Sequence, residues 1–130
     1  MASIFTKIIE REIPAYIVAE DSKHIAFLDI NPLMIGHTLV VPKKEVDYIY
    51  DLPDNDLSDL HLFAKKVASA IKKSVPCERI GVTVMGLEVP HTHVHLIPIN
   101  SMDDMNFSRA KLSLSKEVME ETAQKIKSHL

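Results

Sequence analysis

The sequence predicts an α+β fold, a mainly antiparallel sheet with one long helix and a C-terminal helix, in a single domain over residues 1–130. Three observations carry this. Strand-like apolar segments gather in the middle of the chain, and segments with helical spacing stand apart from them. Between Asp54 and Ser74, Leu57, Leu60, Ala64, Val67 and Ile71 recur at intervals of three and four, giving one apolar stripe. A chain of 130 residues also buries about two-thirds of its unfolded surface, enough for one core.

The elements follow in order. "SIFTKIIERE" has apolar residues at 4, 5, 8 and 9, which is helical spacing, and stops before Pro14. "AYIVAED" and "HIAFLDI" read as strands joined by a turn at Asp21–Ser22–Lys23, and "NPLMIG" reads as a loop. "HTLVVP" is a buried strand ended by Pro42, with Lys43 and Lys44 solvated beyond it. The long helix carries Asp54 and Asp56 at its start and Lys72 and Lys73 at its end, which suits the helix dipole. "RIGVTVMG" and "HTHVHLIPI" are strands. A last helix starts at Ser115 as N-cap, with Val118, Thr122, Ile126 and Leu130 on one face.

Composition excludes several classes. The formal charge of −3, from 15 basic and 18 acidic residues, gives no broad attraction to nucleic acid or an acidic membrane. No stretch approaches the ~18 apolar residues of a membrane span, and the N-terminus is charged too early for a signal peptide. Cys77 is the single cysteine, which rules out an internal disulfide and suits a reducing, cytoplasmic setting.

The chemistry lies in "VPHTHVHLIPI". His91, His93 and His95 alternate, so in a strand they point one way, roughly 6.5–7 Å apart, while Thr92, Val94 and Leu96 point the other. Three readings stand beside one another: a solvated face that happens to hold histidines, a metal site, and catalysis at phosphorus. In the last, a neutral imidazole attacks and a neighbour stabilises developing charge.

"HTHVHLI" resembles the His-φ-His-φ-His-φ-φ signature of the histidine triad (HIT) family, with Thr92 a weak φ. "SIFTKIIEREIP", "AFLDINP", "GHTLVVPKK" and "EVPHTHVHLIP" resemble family segments in family order. The resemblance implies a cytoplasmic nucleotide hydrolase or transferase, most simply a two-fold homodimer. It would release a nucleoside monophosphate from a purine nucleotide phosphoramidate or dinucleoside polyphosphate. His93 would be the nucleophile, forming a nucleotidyl-histidine; His91 would orient it, His95 would lie at the phosphate oxygens and His37 would support the triad. Asp29 would accept hydrogen bonds from ribose hydroxyls, where its residue type alone suggests a turn former. Phe27, Ile30, Phe5 and Ile8 would sandwich the purine; without the family all four read as core. His24, His61 and His129 match nothing and read as surface residues.

Two features depart from the family. Met85 and Leu87 stand near where relatives place an Asn and a Gln, and Glu88 where some have a Ser that assists the leaving group. Ser3, Thr6 and Glu45 replace the two Cys and the His of zinc-binding relatives, so no structural metal is expected. No cofactor is required by this scheme, although Mg²⁺ could accompany a polyphosphate. A nucleotide-binding regulatory module with little turnover, or a metal-dependent hydrolase using the histidine row, stays open.

Overall fold

A computed structural model describes residues 2–130. Three helices, α1 (Ile4–Ile9), α2 (Asp54–Ser74) and α3 (Lys116–Lys127), accompany five strands, β1 (Ile17–Glu20), β2 (His24–Leu28), β3 (Thr38–Pro42), β4 (Arg79–Thr83) and β5 (Val94–Ile99). The strands form one antiparallel sheet in the order β1-β2-β3-β5-β4. This is the predicted α+β class.

Strand alternation divides the core in two. Ala26, Leu28, Val40, Val94 and Leu96 face α2 and α3, where Leu60, Ala64, Val67, Ile71, Met119 and Ile126 complete the larger cluster. Ile25, Phe27, Leu39 and Val41 point the other way and are covered by Phe5 and Ile8 of α1. A helix of six residues is too short to hold itself, so α1 depends on this burial and on its cap. Ser3 supplies the cap, its Oγ accepting from Thr6 N–H. At the other end the helix stops at Ile9 with Glu10 as its cap, and Arg11 beyond it takes a left-handed φ of 64°, well before Pro14.

The other departures have local causes. Along α3 the buried residues are Met119, Ala123 and Ile126, with Val118 and Thr122 at the margin and Leu130 exposed. Ser115 caps it as expected, accepting from Val118 N–H. Lys43 is tied to Glu20 at 2.8 Å. His24 is buried, contrary to expectation: its Nδ1 bonds the Asp21 carboxylate at 3.0 Å and its ring stacks on Phe63. The strand expected over "HTHVHLIPI" begins only at Val94. Pro42, at the end of β3, has no N–H to offer further pairing, and Thr92 turns aside to bond Val46 O through both N–H and hydroxyl. β4 is an edge strand, and its Val82 is 56% exposed.

Candidate active site

Pairing places His95 opposite Leu39 of β3, so its ring lies on the α1 side of the sheet with Phe27 and Val41. His91 and His93, just before β5, project to the same side. The three imidazoles are not a solvated row: all are buried. Phe5 packs edge-on against His93 and His91, with ring centroids 4.9 and 5.9 Å away, and also meets Phe27. The His93 and His95 rings are 4.9 Å apart, closer than strand spacing alone implies.

Hydrogen bonds fix which ring nitrogen of each histidine donates and which accepts. Leu33 N–H donates to His37 Nδ1 at 3.0 Å, so the proton of His37 is on Nε2. That Nε2–H faces His95 Nδ1 at 3.0 Å, which leaves His95 with its proton on Nε2. His93 Nδ1–H donates to the carbonyl of His91 at 2.7 Å, so its Nε2 is bare. His91 Nε2–H donates to Pro42 O at 2.7 Å, and Ser3 Oγ–H donates to its Nδ1 at 2.7 Å. Burial keeps His37, His95 and His91 neutral. It lowers His37 to about 3 and His95 to about 4, with the charge of neighbouring histidines adding to the effect, and it lowers His91 as well.

Asp29 follows β2; its N–H donates to His37 O, while its Oδ1 accepts from Asn31 N–H and its Oδ2 lies 3.6 Å from His37 Nε2. It therefore makes the turn expected of an Asp there and also faces the histidines. Burial raises its carboxyl pKa. Ile30 beside it is 67% exposed, so it is no core residue, whereas Phe27, Phe5 and Ile8 are buried. Glu88 points to solvent, close enough for its charge to raise Asp29 further.

The segment after β5 adds groups missed in the sequence. Phe107 packs on His95 and His37, at 5.0 and 6.2 Å, and Lys111 Nζ lies 5.5 Å over the same ring. The charge of Lys111 is felt by both Asp29 and His37. Phe107 is the last aromatic of the chain, alone in the polar stretch "NFSRAK"; that isolation was the available signal.

Among the described residues, Asp29, His37 and His95 could hold a metal ion, with one ligand atom each within 4.8 Å of the others. The Leu33 N–H keeps a proton on His37 Nε2, so an ion would have to displace it. The row itself does not converge on an ion, because both ring nitrogens of His91 are committed to internal hydrogen bonds.

Residues 10–102 match the family model described as the HIT domain. A HIT-like protein of Borreliella burgdorferi, itself uncharacterised, is 38% identical over 131 residues, covering 95% of this chain and 94% of that one. The adenosine 5'-monophosphoramidase HNT1 of Saccharomyces cerevisiae is 40% identical over 99 residues, 75% of this chain and 62% of that protein. A Hit-like protein from Bartonella henselae has a crystal structure that matches with a TM-score of 0.84 at 34% identity, covering 98% of this chain and 96% of that one.

Proposed function

The chain belongs to the HIT family, and from that premise we propose that it hydrolyses purine nucleotide phosphoramidates, releasing the nucleoside monophosphate through a nucleotidyl-histidine. One observation carries the reading: the hydrogen-bond chain leaves a bare Nε2 on His93 beside an Nε2–H on His95, in rings 4.9 Å apart. A nucleophile and an oxyanion donor are thereby set side by side.

In the first step His93 Nε2 bonds to the α-phosphorus as the bond from phosphorus to the leaving nitrogen breaks. The departing amine takes a proton from solvent. The His93 Nδ1–H stays on the His91 carbonyl, which steadies the cationic ring of the intermediate, and His95 Nε2–H bonds a phosphoryl oxygen. Water then attacks phosphorus, the N–P bond to His93 breaks, and the water's proton returns to solvent. Asp29 accepts from the ribose hydroxyls, and Phe5, Phe27, Ile8 and Ile30 wall the base. Glu88 stands toward the leaving group, and Lys111, whose charge is felt by Asp29 and His37, borders the ribose side. Protein residues suffice for the chemistry; with a dinucleoside polyphosphate, Mg²⁺ would travel on the substrate. A homodimer through α2 and β4 is part of the proposal, supported by the edge position of β4 and by exposed Val82 and Leu62. The lone thiol of Cys77 fits a cytoplasmic setting.

The test is turnover of adenosine 5'-phosphoramidate and of a diadenosine polyphosphate, by wild type and His93→Ala. Release of AMP that falls to background in the mutant is expected, with the phosphoramidate preferred. A second reading, a nucleotide-binding module, draws on Leu87, which is apolar and 93% exposed where relatives place a polar contact. AMP binding without release from either compound would replace the first reading by this one.

A further inference from the structure

Ser3, Thr6 and Glu45 take no part in the chemistry proposed above, yet they converge on the triad from two distant parts of the chain. Glu45 Oε1 accepts from Ser3 N–H at 2.7 Å and from Thr6 Oγ1–H at 2.6 Å. Ser3 Oγ accepts from Thr6 N–H at 3.1 Å and spends its own proton on His91 Nδ1 at 2.7 Å. Thr6 Oγ1 also lies 3.4 Å from Ser3 Oγ and 3.5 Å from His91 Nδ1, longer contacts at the edge of hydrogen-bonding range. The arrangement works as a capping box whose acid comes from 42 residues away. His91 has no exposed surface, so water cannot replace Ser3 as its donor.

We infer that Ser3, Thr6 and Glu45 are positioning residues of the active site, a clamp that seats α1 on the triad and fixes the tautomer and place of His91. Two consequences reach the reacting atom. The His91 carbonyl holds His93 Nδ1–H, so a displaced His91 lets the His93 ring exchange tautomers and lose its bare Nε2. Phe5 lies between Ser3 and Thr6 and packs on His93, so a loosened α1 also moves that wall. The catalytic part of this inference rests on the reaction proposed above; the clamp itself does not.

The test uses the full chain and three variants, Glu45→Ala, Glu45→Gln and Ser3→Ala. Two readouts are taken: histidine side-chain ¹⁵N resonances, and kcat and KM for adenosine 5'-phosphoramidate well below each melting temperature. In wild type His91 should show a protonated Nε2 and an unprotonated, hydrogen-bonded Nδ1, and Ser3→Ala should shift that Nδ1. Glu45→Ala should lower kcat about 10- to 100-fold, the usual consequence of a misplaced reacting group. Glu45→Gln should recover most of it, because its amide oxygen accepts the same two donors. Unchanged His91 resonances in Ser3→Ala, or equal losses in Glu45→Ala and Glu45→Gln, would overturn the clamp. If wild type releases no AMP, the reaction fails and the His91 resonances alone decide the clamp.

Discussion

Lowering the pH from 7 to 5 is expected to cost the folded protein about 4 kcal/mol, through two of the histidines that build the site. Burial holds His37 at about 3 and His95 at about 4, against an ordinary 6.5. The Nδ1 of each ring already accepts a hydrogen bond, so an added proton has no partner there. An unfolded chain protonates both rings as pH falls through 6.5, while the folded chain does not until pH 4 and below. The stabilisation is therefore complete above pH 6.5 and is lost as pH drops toward the folded values. At pH 5 the gap is roughly 1.5 units for each ring, and at about 1.4 kcal/mol per unit each loses about 2 kcal/mol. Asp29 works the other way, because its raised carboxyl returns some stability as the pH falls. Urea unfolding at pH 7 and pH 5 measures the difference. His37→Gln should halve it, since a Gln can accept from Leu33 N–H and donate to His95 without titrating. A wild-type difference below about 1 kcal/mol would refute the neutral, buried state of the two rings.

Two further predictions concern neighbouring residues. Gly36, just before His37, has φ +93°, and an added Cβ would lie 2.9 Å from Val75 Cγ2 and 3.2 Å from Pro98 Cγ. Gly36→Ala combines backbone strain with a clash and should cost about 2–4 kcal/mol, read from the urea midpoint. If Asp29 holds the ribose, Asp29→Ala should weaken AMP binding by about 10-fold and leave a 2',3'-dideoxy analogue almost unaffected. Equal losses for the two ligands in a calorimetric titration would remove Asp29 from that role.

Much of the fold is legible because its elements repeat at one period without a competing signal. The α2 stripe alternates steps of three and four, which keeps it centred on one side of the helix, and its bounds match the sequence expectation. The expected α3 stripe of Val118, Thr122, Ile126 and Leu130 advances only in fours. At about 100° per residue such a row drifts some 40° at each step, whereas Met119, Ala123 and Ile126 stay in line. His24 escapes for another reason. A histidine beside a turn reads as solvated until the turn's own Asp21 and the Phe63 of a distant helix are brought to it.

The site is half legible in the same sense. Alternation puts three imidazoles on one side of the chain, and nothing in that spacing distinguishes their nitrogens. The distinction comes from Leu33 N–H, Pro42 C=O and His91 C=O, backbone groups that no side-chain motif displays. One change of partner would reassign the chemistry. Were His37 to receive no hydrogen bond from Leu33 N–H, its own proton could sit on Nδ1, and His95 would be free to turn a lone pair toward the substrate. The Leu33 turn and the clamp on His91 therefore matter as much to the proposed reaction as the histidines do, and the former depends on Gly36 for its shape. A row of alternating histidines becomes a nucleophile beside a donor only when its backbone neighbours choose the tautomers.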